Sequence, residues 1–401
     1  MRKGFKRAIA IVVMLFVLLT SVVVINFMVA VFGTPAPIED EYTASLTDAV
    51  TDGYKRAHVI SDWKNLNQSF ISEYLSGVGV PMDGTNGNPN YLVPGQAEDM
   101  VPQGLTYLPE KDWILVSSYD KGEKNPSVIF ALERETGNFV AQFNLYTADG
   151  EPWMCHAGGI SVSEHSLYVT SDCGVAYFPL SDFDAEKGTV KDISYKATMN
   201  FGQLGKTYSA YISISDGILW AGNFYSNSPL SPTLAKLGLI GEDWVWKPND
   251  EFYNAILGYE LSGDSSEEEW AALEAIKDNA SYVVNVDNTL DCIQGISFRK
   301  LDDNTYKMYL SRTTGGSLGA AVSTATVNLS EGVCRVTESE FNLNENLPGA
   351  EGIVFIGDEL YILYETGALC HFDSFFNKLT WNQQIKDCTD VIWKVKESAL
   401  V

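Results

Sequence analysis

Apolar and polar positions recur in five similar units along residues 100–370. Each unit opens with a small residue, an Ile or Leu, a small or β-branched residue and an apolar residue, and a turn and a strand rich in Tyr, Trp, Leu and Val follow. The second residues of the openings are 104, 159, 211, 295 and 352, so the steps are 55, 52, 84 and 57 residues. Regularly spaced short strands are typical of propeller blades. The openings are Gln103-Gly-Leu-Thr-Tyr, Gly158-Gly-Ile-Ser-Val, Ala210-Tyr-Ile-Ser-Ile, Gln294-Gly-Ile-Ser-Phe and Glu351-Gly-Ile-Val-Phe.

Further strands follow the opening pair, as in SVIFALERE from Ser127 and NFVAQFNLY from Asn138. Four short strands in each unit predict an all-β fold, a β-propeller of five blades. A sixth blade is an alternative, because residues 41–100 must be placed somewhere and the ring of blades must close. Two stacked β-sandwich domains are the other alternative, although they would not explain the common spacing.

The longest step between units contains an insertion. Its segment Glu267 to Ala280 has a helical pattern and follows two candidate N-cap residues, Ser265 and Ser266. We therefore predict an inserted helix there. The tail strand DVIWKVKE, Asp390–Glu397, can complete the last sheet.

The N-terminal region predicts a membrane anchor. An uncharged run of 26 residues, Ala8 to Gly33, follows four basic residues and precedes the acidic residues Glu39, Asp40 and Glu41. About 20 apolar residues span a bilayer, whereas a signal-peptide core has roughly 7–15. We predict a transmembrane helix at about residues 8–31, with its N-terminus cytoplasmic and the body outside the cell membrane. A cleaved signal peptide, which would give a secreted body, is the alternative.

These patterns divide the chain into three parts. Residues 1–33 form the anchor or signal sequence, residues 34–99 a juxtamembrane linker, and residues 100–401 the propeller domain. The linker has apolar residues spaced for an amphipathic helix. They are Ile60, Trp63, Leu66, Phe70, Tyr74 and Leu75.

The charge of the body excludes one class of partner. The chain has a net charge of −25, and residues 34–401, with 23 basic and 52 acidic residues, carry −29. Such a surface repels phosphate backbones, so we predict no nucleic-acid binding. Solubility explains the charge most simply, and attraction of cations or a basic partner is the sharper interpretation.

The cysteines predict disulfides. All six lie beyond residue 150, and an even number in an exported chain favours pairing. Their order suggests three neighbouring pairs, although six cysteines allow fifteen connectivities. The chain has no CxxC motif and its four histidines are scattered, which argues against a zinc site. The cysteines are Cys155, Cys173, Cys292, Cys334, Cys370 and Cys388.

The segments QGLTY, HAGGISVSEHSLYVTSD, QGISF and AEGIVFIGDELYILYE resemble the blade-opening motifs of exported bacterial β-propellers. This group includes the gluconolactonase/regucalcin-like family and the NHL- and YncE-like proteins, and the resemblance implies the propeller fold over residues 100–370. In the gluconolactonase-like family, residues just before these glycines bind a divalent metal. Among the matching residues here only Glu351 is a carboxylate, so we predict no metal site and no cofactor, with a divalent cation as the alternative. The matching residues are Gln103, Gly158, Ala210, Gln294 and Glu351.

The first strand of each blade should line a central channel, so one end of the channel collects a residue from every blade. This polar ring suits a sugar, a peptide end or a small polar metabolite. The structural alternatives are Gln side chains bonded to neighbouring backbone, and a salt bridge from Arg312 to Glu351 or Glu365. The predicted ligand-binding residues are Gln103, His156, Asn223, Gln294, Arg312 and Glu351. Further residues expected at this end are Ser118, Asp172, Tyr208, Ser209 and Glu365.

The function predicted from these patterns is a membrane-anchored extracytoplasmic module that binds a small polar ligand or an extracellular protein. The sequence has no GxSxG, HExxH or Walker motif. The alternative is a hydrolase or lyase acting on a sugar-like or lactone substrate at the channel mouth. Glu351 would then be the acid/base or metal ligand and His156 the second proton-transfer group. A structural component of an envelope complex is a third interpretation.

Overall fold

The structure is a computed structural model. It describes residues 93–95, 100–137, 139–172, 174–201, 210–224, 252–287, 292–313, 320–330, 332–336, 341–346, 349–365, 368 and 392–397.

The described residues form five β-sheets arranged as the blades of a propeller. The first blade contains β1 (Met100–Leu108), β2 (Trp113–Asp120), β3 (Val128–Glu133) and β4 (Phe139–Tyr146). The second contains β5 (Ile160–Val162), β6 (Ser166–Ser171), β7 (Gly174–Pro179) and, after β8 (Thr189–Ser194), β9 (Ala197–Met199). The third contains β10 (Tyr211–Ser215), β11 (Ile218–Gly222), β12 (Phe252–Glu260) and, after helix α1 (Ser266–Ile276), β13 (Tyr282–Asp287).

The last two blades complete the ring. The fourth contains β14 (Ile293–Lys300), β15 (Thr305–Arg312), β16 (Ala320–Asn328) and, after β17 (Val333–Val336), β18 (Phe341–Asn346). The fifth contains β19 (Ala350–Ile356), β20 (Glu359–Tyr364) and β21 (Trp393–Lys396).

The five opening motifs begin or lead into the inner strands. These strands, β1, β5, β10, β14 and β19, contact one another in turn, and β19 returns to β1. The prediction of five blades is therefore confirmed, and the alternatives of six blades and of two sandwiches are wrong. The strand β21 pairs with β20, as predicted for the tail.

The hydrophobic core lies between blades. One cluster joins the first and second blades through Phe143 and Phe178, and another joins the third and fourth through Trp220 and Phe298. The rings of Trp220 and Phe298 stack with centroids 4.3 Å apart. Because each blade buries both faces of its sheet against neighbours, closure of the ring completes the core.

Two strands leave their own blade, which the sequence pattern did not predict. The strand β8 pairs in parallel with β4 of the first blade, and β17 pairs in parallel with β13 of the third. The chain then returns to its own blade as β9 or β18. The exchanged strands cover outer edges that would otherwise expose unpaired backbone groups.

The inserted helix forms where the sequence predicted it, as α1, although it ends at Ile276 and not at Ala280. The Ser265 hydroxyl accepts from the Glu268 N–H at 3.3 Å, and Glu268 Oε2 accepts from the Asp264 N–H at 2.9 Å. This exchange of bonds stabilises the first turn. Trp270 stacks on Tyr177 with ring centroids 4.5 Å apart, which packs the helix against the second blade.

Two predictions concern residues outside the described part of the chain. These are the membrane span at about residues 8–31 and the amphipathic helix of the linker. Among the described residues, no helix is both long and apolar enough to cross a membrane.

The cysteine prediction is wrong for one of its three pairs. Cys292 and Cys334 carry thiols. Cys292 precedes the inner strand β14, whereas Cys334 lies in β17 on the outer edge of the third blade, so radial position separates them. Cys155 is disulfide-bonded, and its partner lies outside the described residues.

Candidate ligand site at the channel mouth

Consecutive inner strands meet backbone to backbone, which explains the glycine of the opening motif. A Cβ on Gly352 would lie 2.8 Å from the Gly104 carbonyl carbon, and one on Gly104 would lie 2.6 Å from the Gly158 carbonyl oxygen. Real Cβ atoms essentially never come this close to other heavy atoms. The matching glycines of two further blades, Gly159 and Gly295, are equally crowded by the next inner strand.

Hydroxyl groups of the second strands connect neighbouring blades at the same level. The Ser117 hydroxyl accepts from the Gly104 N–H at 3.0 Å and donates to the Gly158 carbonyl oxygen at 2.6 Å. The Ser311 hydroxyl donates in the same way to the Glu351 carbonyl oxygen. The carbonyl groups before the glycines therefore join the blades, while side chains are left to form the channel mouth.

The third blade replaces this arrangement. Tyr211 takes the glycine position, and Gly222 stands opposite it in the register, where the first, second and fourth blades have a Ser or Thr. The Tyr211 hydroxyl occupies the space that a side chain at Gly222 would need. The large residue on one strand is thus matched by a small one on its partner.

A ring of aliphatic side chains closes the channel below the glycines. Each blade contributes one residue, and all five are buried. The space that they share with the glycines is about 10 Å³, which is the limit for a single water molecule. The two ends of the axis are therefore separate sites. The ring consists of Leu105, Ile160, Ile212, Ile296 and Ile353.

Above this ring, two glutamine–glutamate pairs form the floor of the channel mouth. Gln294 Nε2 donates to Glu351 Oε1 at 2.8 Å, which joins the fourth and fifth blades. Gln103 Nε2 donates to Glu365 Oε2 at 3.3 Å and to the Pro102 carbonyl oxygen at 3.0 Å. Both predicted glutamines thus lie beside carboxyl groups of the fifth blade. The backbone contact of Gln103 matches the structural alternative.

Glu351 is an acid whose surroundings disfavour its charged form. Its side chain is buried, and burial raises the pKa of Glu351 well above 4.5. The negative charge of Glu365 raises the pKa further, while the hydrogen bond from Gln294 lowers it. Since desolvation dominates, Glu351 favours its protonated form and can donate a hydrogen bond.

His156 forms one side of the mouth. Its ring lies 4.0 Å from the ring of Tyr119, centroid to centroid, and its backbone N–H donates to Asp172 Oδ1 at 3.2 Å. Part of the residue is exposed, but the surrounding protein desolvates the imidazole and lowers the pKa of His156 below 6.5. Asp172 and Glu365 oppose this shift by their negative charges.

Asn223 brings unpartnered polar atoms to the same end of the third blade. It follows β11 directly and is fully buried, and neither its amide oxygen nor its amide nitrogen has a hydrogen-bond partner among the described residues. The buried Ser118 hydroxyl of the first blade also has no hydrogen-bond partner among the described residues. Buried amides normally find partners, and because the amide atoms of Asn223 are closed off from solvent, its contact with a ligand stays a prediction.

Arg312 is turned toward its own blade. Its Nη1 atom donates to Ser323 Oγ at 3.2 Å, across the pair β15–β16. Glu351 accepts a hydrogen bond from Gln294, and the alternative of a salt bridge from Arg312 to Glu351 or Glu365 stays a prediction. Tyr208 and Ser209 lie outside the described residues.

Two residues of the mouth were missed by the sequence prediction. The Tyr119 ring is tilted against the His156 ring, and the Lys121 ammonium lies 5.9 Å from the Tyr119 ring centroid. Tyr119 and Lys121 come just after Ser118, at the end of the second strand of the first blade. This position in the sequence could have indicated that they lie at the mouth. Within the described ranges, no three His, Cys, Asp or Glu side chains come together to hold a metal ion.

Replacing Glu351 by Gln is expected to change the pH dependence of stability. In the wild type the folded state holds the Glu351 proton to a higher pH than the unfolded state, whose pKa is near 4.5. Stability is therefore lost as pH rises from about 4.5 toward the folded pKa. Glu351→Gln keeps an acceptor for Gln294 but has no proton to lose, so its melting temperature should exceed that of the wild type increasingly across this range.

Thermal unfolding of the full-length chain at several pH values measures this effect. The matched control is Glu110→Gln, which makes the same chemical change at an exposed site. Parallel pH profiles for Glu351→Gln and the wild type would show that Glu351 ionises normally.

Comparisons with known proteins give similarity of fold at a distance. No family model matches the chain, and no curated protein matches it. A glutaminyl cyclase of Myxococcus xanthus is 10% identical with a TM-score of 0.35, covering 67% of this chain and 87% of that one. The calcium-binding protein regucalcin of Agrobacterium tumefaciens is 12% identical with a TM-score of 0.32, covering 74% and 89%. The tail fibre of Staphylococcus aureus phage P68 is 10% identical with a TM-score of 0.39, covering 82% and 55%. Likenesses at this level carry no argument about function, and the propeller assignment is based on the five sheets themselves.

Proposed function

We propose that this chain is a binding module that recognises a small polar ligand at the channel mouth. The observation that carries the proposal is Glu351, a buried carboxyl held by Gln294 at the end of an axis that is closed below it. Burying an acid costs free energy, so its presence at this end of the axis favours a role in binding. The hydrophobic N-terminal segment would display the module outside the cytoplasm.

The charges of the mouth indicate the ligand class. Asp172 and Glu365 lie at the mouth together with Lys121, and the net charge of −25 of the whole chain disfavours an anionic ligand. The Tyr119–His156 pair adds an aromatic wall, and the Gln103 and Gln294 amides add groups that can both donate and accept. A neutral or cationic ligand with several hydrogen-bonding groups fits these side chains.

A screen by thermal shift tests this function on the full-length chain in a detergent without a sugar headgroup. The probes are D-glucose, glycinamide and the chlorides of calcium and magnesium. A ligand at 100 times its Kd stabilises the native state by about 2.7 kcal/mol, a shift of several degrees. We expect at least one probe to stabilise the wild type and to lose its effect on Glu351→Leu, which removes both oxygens at similar volume.

The control variant is Glu110→Gln, which should keep the full shift. The channel mouth is refuted as the binding site if every probe that stabilises the wild type keeps its full shift in Glu351→Leu. A different outcome is that a divalent cation stabilises the wild type but not Glu351→Gln. That result would favour the hydrolase or lyase over the binding module, since such a reaction would use Glu351 as a metal ligand.

A further inference from the structure

The opposite end of the axis forms a second concave site, which we call the lower funnel. It is a cavity of about 310 Å³ lined by the C-terminal halves of the inner strands. Its floor is the aliphatic ring, which separates it from the channel mouth. The volume lies at the lower end of the range for ligand pockets. The lower funnel therefore has the size of a site for one small molecule.

Four of the five blades place a hydroxyl group in the lower funnel at the same position of the opening motif. These residues follow the aliphatic ring directly, and each is between 4% and 8% exposed. In the fifth blade the position is taken by Val354. The four hydroxyl residues are Thr106, Ser161, Ser213 and Ser297.

The hydroxyl groups of this ring are available to a ligand. Ser161 Oγ accepts from the Ile214 N–H at 2.8 Å, which leaves its own O–H free to donate. Among the described residues, no side-chain hydrogen bond is made by Thr106, Ser213 or Ser297. Their hydroxyl oxygens also differ from those of Ser118 and Tyr211, which lack a partner and are closed off from solvent. Their oxygens therefore face the open space of the lower funnel.

The lining of the lower funnel carries no charged side chain among the described residues. Its remaining wall includes the aromatic residues Tyr107, Phe298 and Phe355, and the Arg299 guanidinium beside the Phe355 ring is paired with Glu397. Asp112 accepts from the Tyr107 hydroxyl at 2.7 Å and is neutralised by Arg134. A neutral site with hydroxyls on several sides and aromatic faces at its wall suits a ligand that has hydroxyl groups and C–H faces.

We propose that the lower funnel binds a neutral polyhydroxylated compound of about monosaccharide size, with Thr106, Ser161, Ser213 and Ser297 as its hydrogen-bonding ring. This site is separate from the channel mouth and does not depend on the function proposed there. The net charge of −25 disfavours a carboxylated analogue of the same compound, because the lower funnel offers no cation to pair with it.

Saturation-transfer NMR titrations on the full-length chain, in a detergent without a sugar headgroup, test the proposal. The neutral probes are D-glucose, D-galactose and myo-inositol, and D-glucuronate is the charged probe. At least one neutral probe should bind saturably, and D-glucuronate should bind more weakly. The double variant Ser213→Ala/Ser297→Ala should weaken neutral binding by about tenfold, the loss expected from two hydrogen bonds.

Two control variants keep the test specific. Val354→Ala trims the same ring at its apolar position and should retain binding, as should Glu351→Leu at the channel mouth. The proposal is overturned if no neutral probe binds up to its solubility limit, or if Val354→Ala weakens binding as much as the double variant. Loss of binding in Glu351→Leu would also overturn it, since the sugar would then occupy the channel mouth.

Discussion

Substituting Gly352 by Ala is expected to destabilise the chain by about 3 kcal/mol or more, because it opens the ring between its last and first blades. The added methyl would lie 2.8 Å from the carbonyl carbon of Gly104 and even closer to the Leu105 amide nitrogen. These are backbone atoms of an inner strand, so no rotation of a side chain relieves the overlap. The blades must separate, and the core between them opens.

Chemical denaturation followed by tryptophan fluorescence measures the loss. Gly122→Ala is the matched control, since Gly122 lies in an exposed turn where the nearest atoms belong to the side chains of Asp120 and Lys124. The free energy of unfolding of Gly122→Ala should stay within about 0.5 kcal/mol of the wild-type value. Equal stability of Gly352→Ala and Gly122→Ala would contradict the close approach of the first and fifth blades.

Replacing Glu269 by Ala is the second change with a large expected effect, a loss of about 3 kcal/mol. Glu269 is buried in the first part of α1, and its Oε1 atom accepts from the Tyr168 hydroxyl at 2.6 Å and from the Ser163 hydroxyl at 2.5 Å. Burial and the charge of Glu269 raise the pKa of Tyr168, so this hydroxyl stays protonated and needs an acceptor. Removing the carboxylate leaves a buried donor without its partner.

The same denaturation assay checks this prediction, with Glu267→Ala as its control. Glu267 is an exposed acid in the same turn, so its loss should cost less than about 1 kcal/mol. Tyr168→Phe should cost less than Glu269→Ala, because it removes donor and bond together. If Glu267→Ala and Glu269→Ala are equally stable, the helix does not depend on its contact with the second blade.

Much of the candidate site could be placed from the repeat alone. The five openings located Gln103, Gln294 and Glu351 at one end of the axis, because equivalent residues of repeated blades occupy equivalent positions. The partner of Glu351 could not be predicted in this way, since Gln294 and Arg312 are neighbours in the β14–β15 pair and only side-chain orientation distinguishes them. The hydroxyl residues of the lower funnel are the fourth residues of four openings and were visible in the sequence. The sequence could not show that these four side chains line one cavity, because that depends on how the inner strands are arranged around the axis.

The sequence by itself determined the local elements of this protein. Alternating apolar residues specified the strands, the common spacing specified five equivalent blades, and a Ser cap with acidic residues specified α1. These are properties of neighbouring residues and of their repetition, so they are visible without a structure. Tertiary structure decided which strands exchange between blades, as β8 and β17 do, because edge pairing depends on which backbone lies nearby. It also decided the closing of the axis and the burial of Glu351, since desolvation arises only when side chains from all five blades converge.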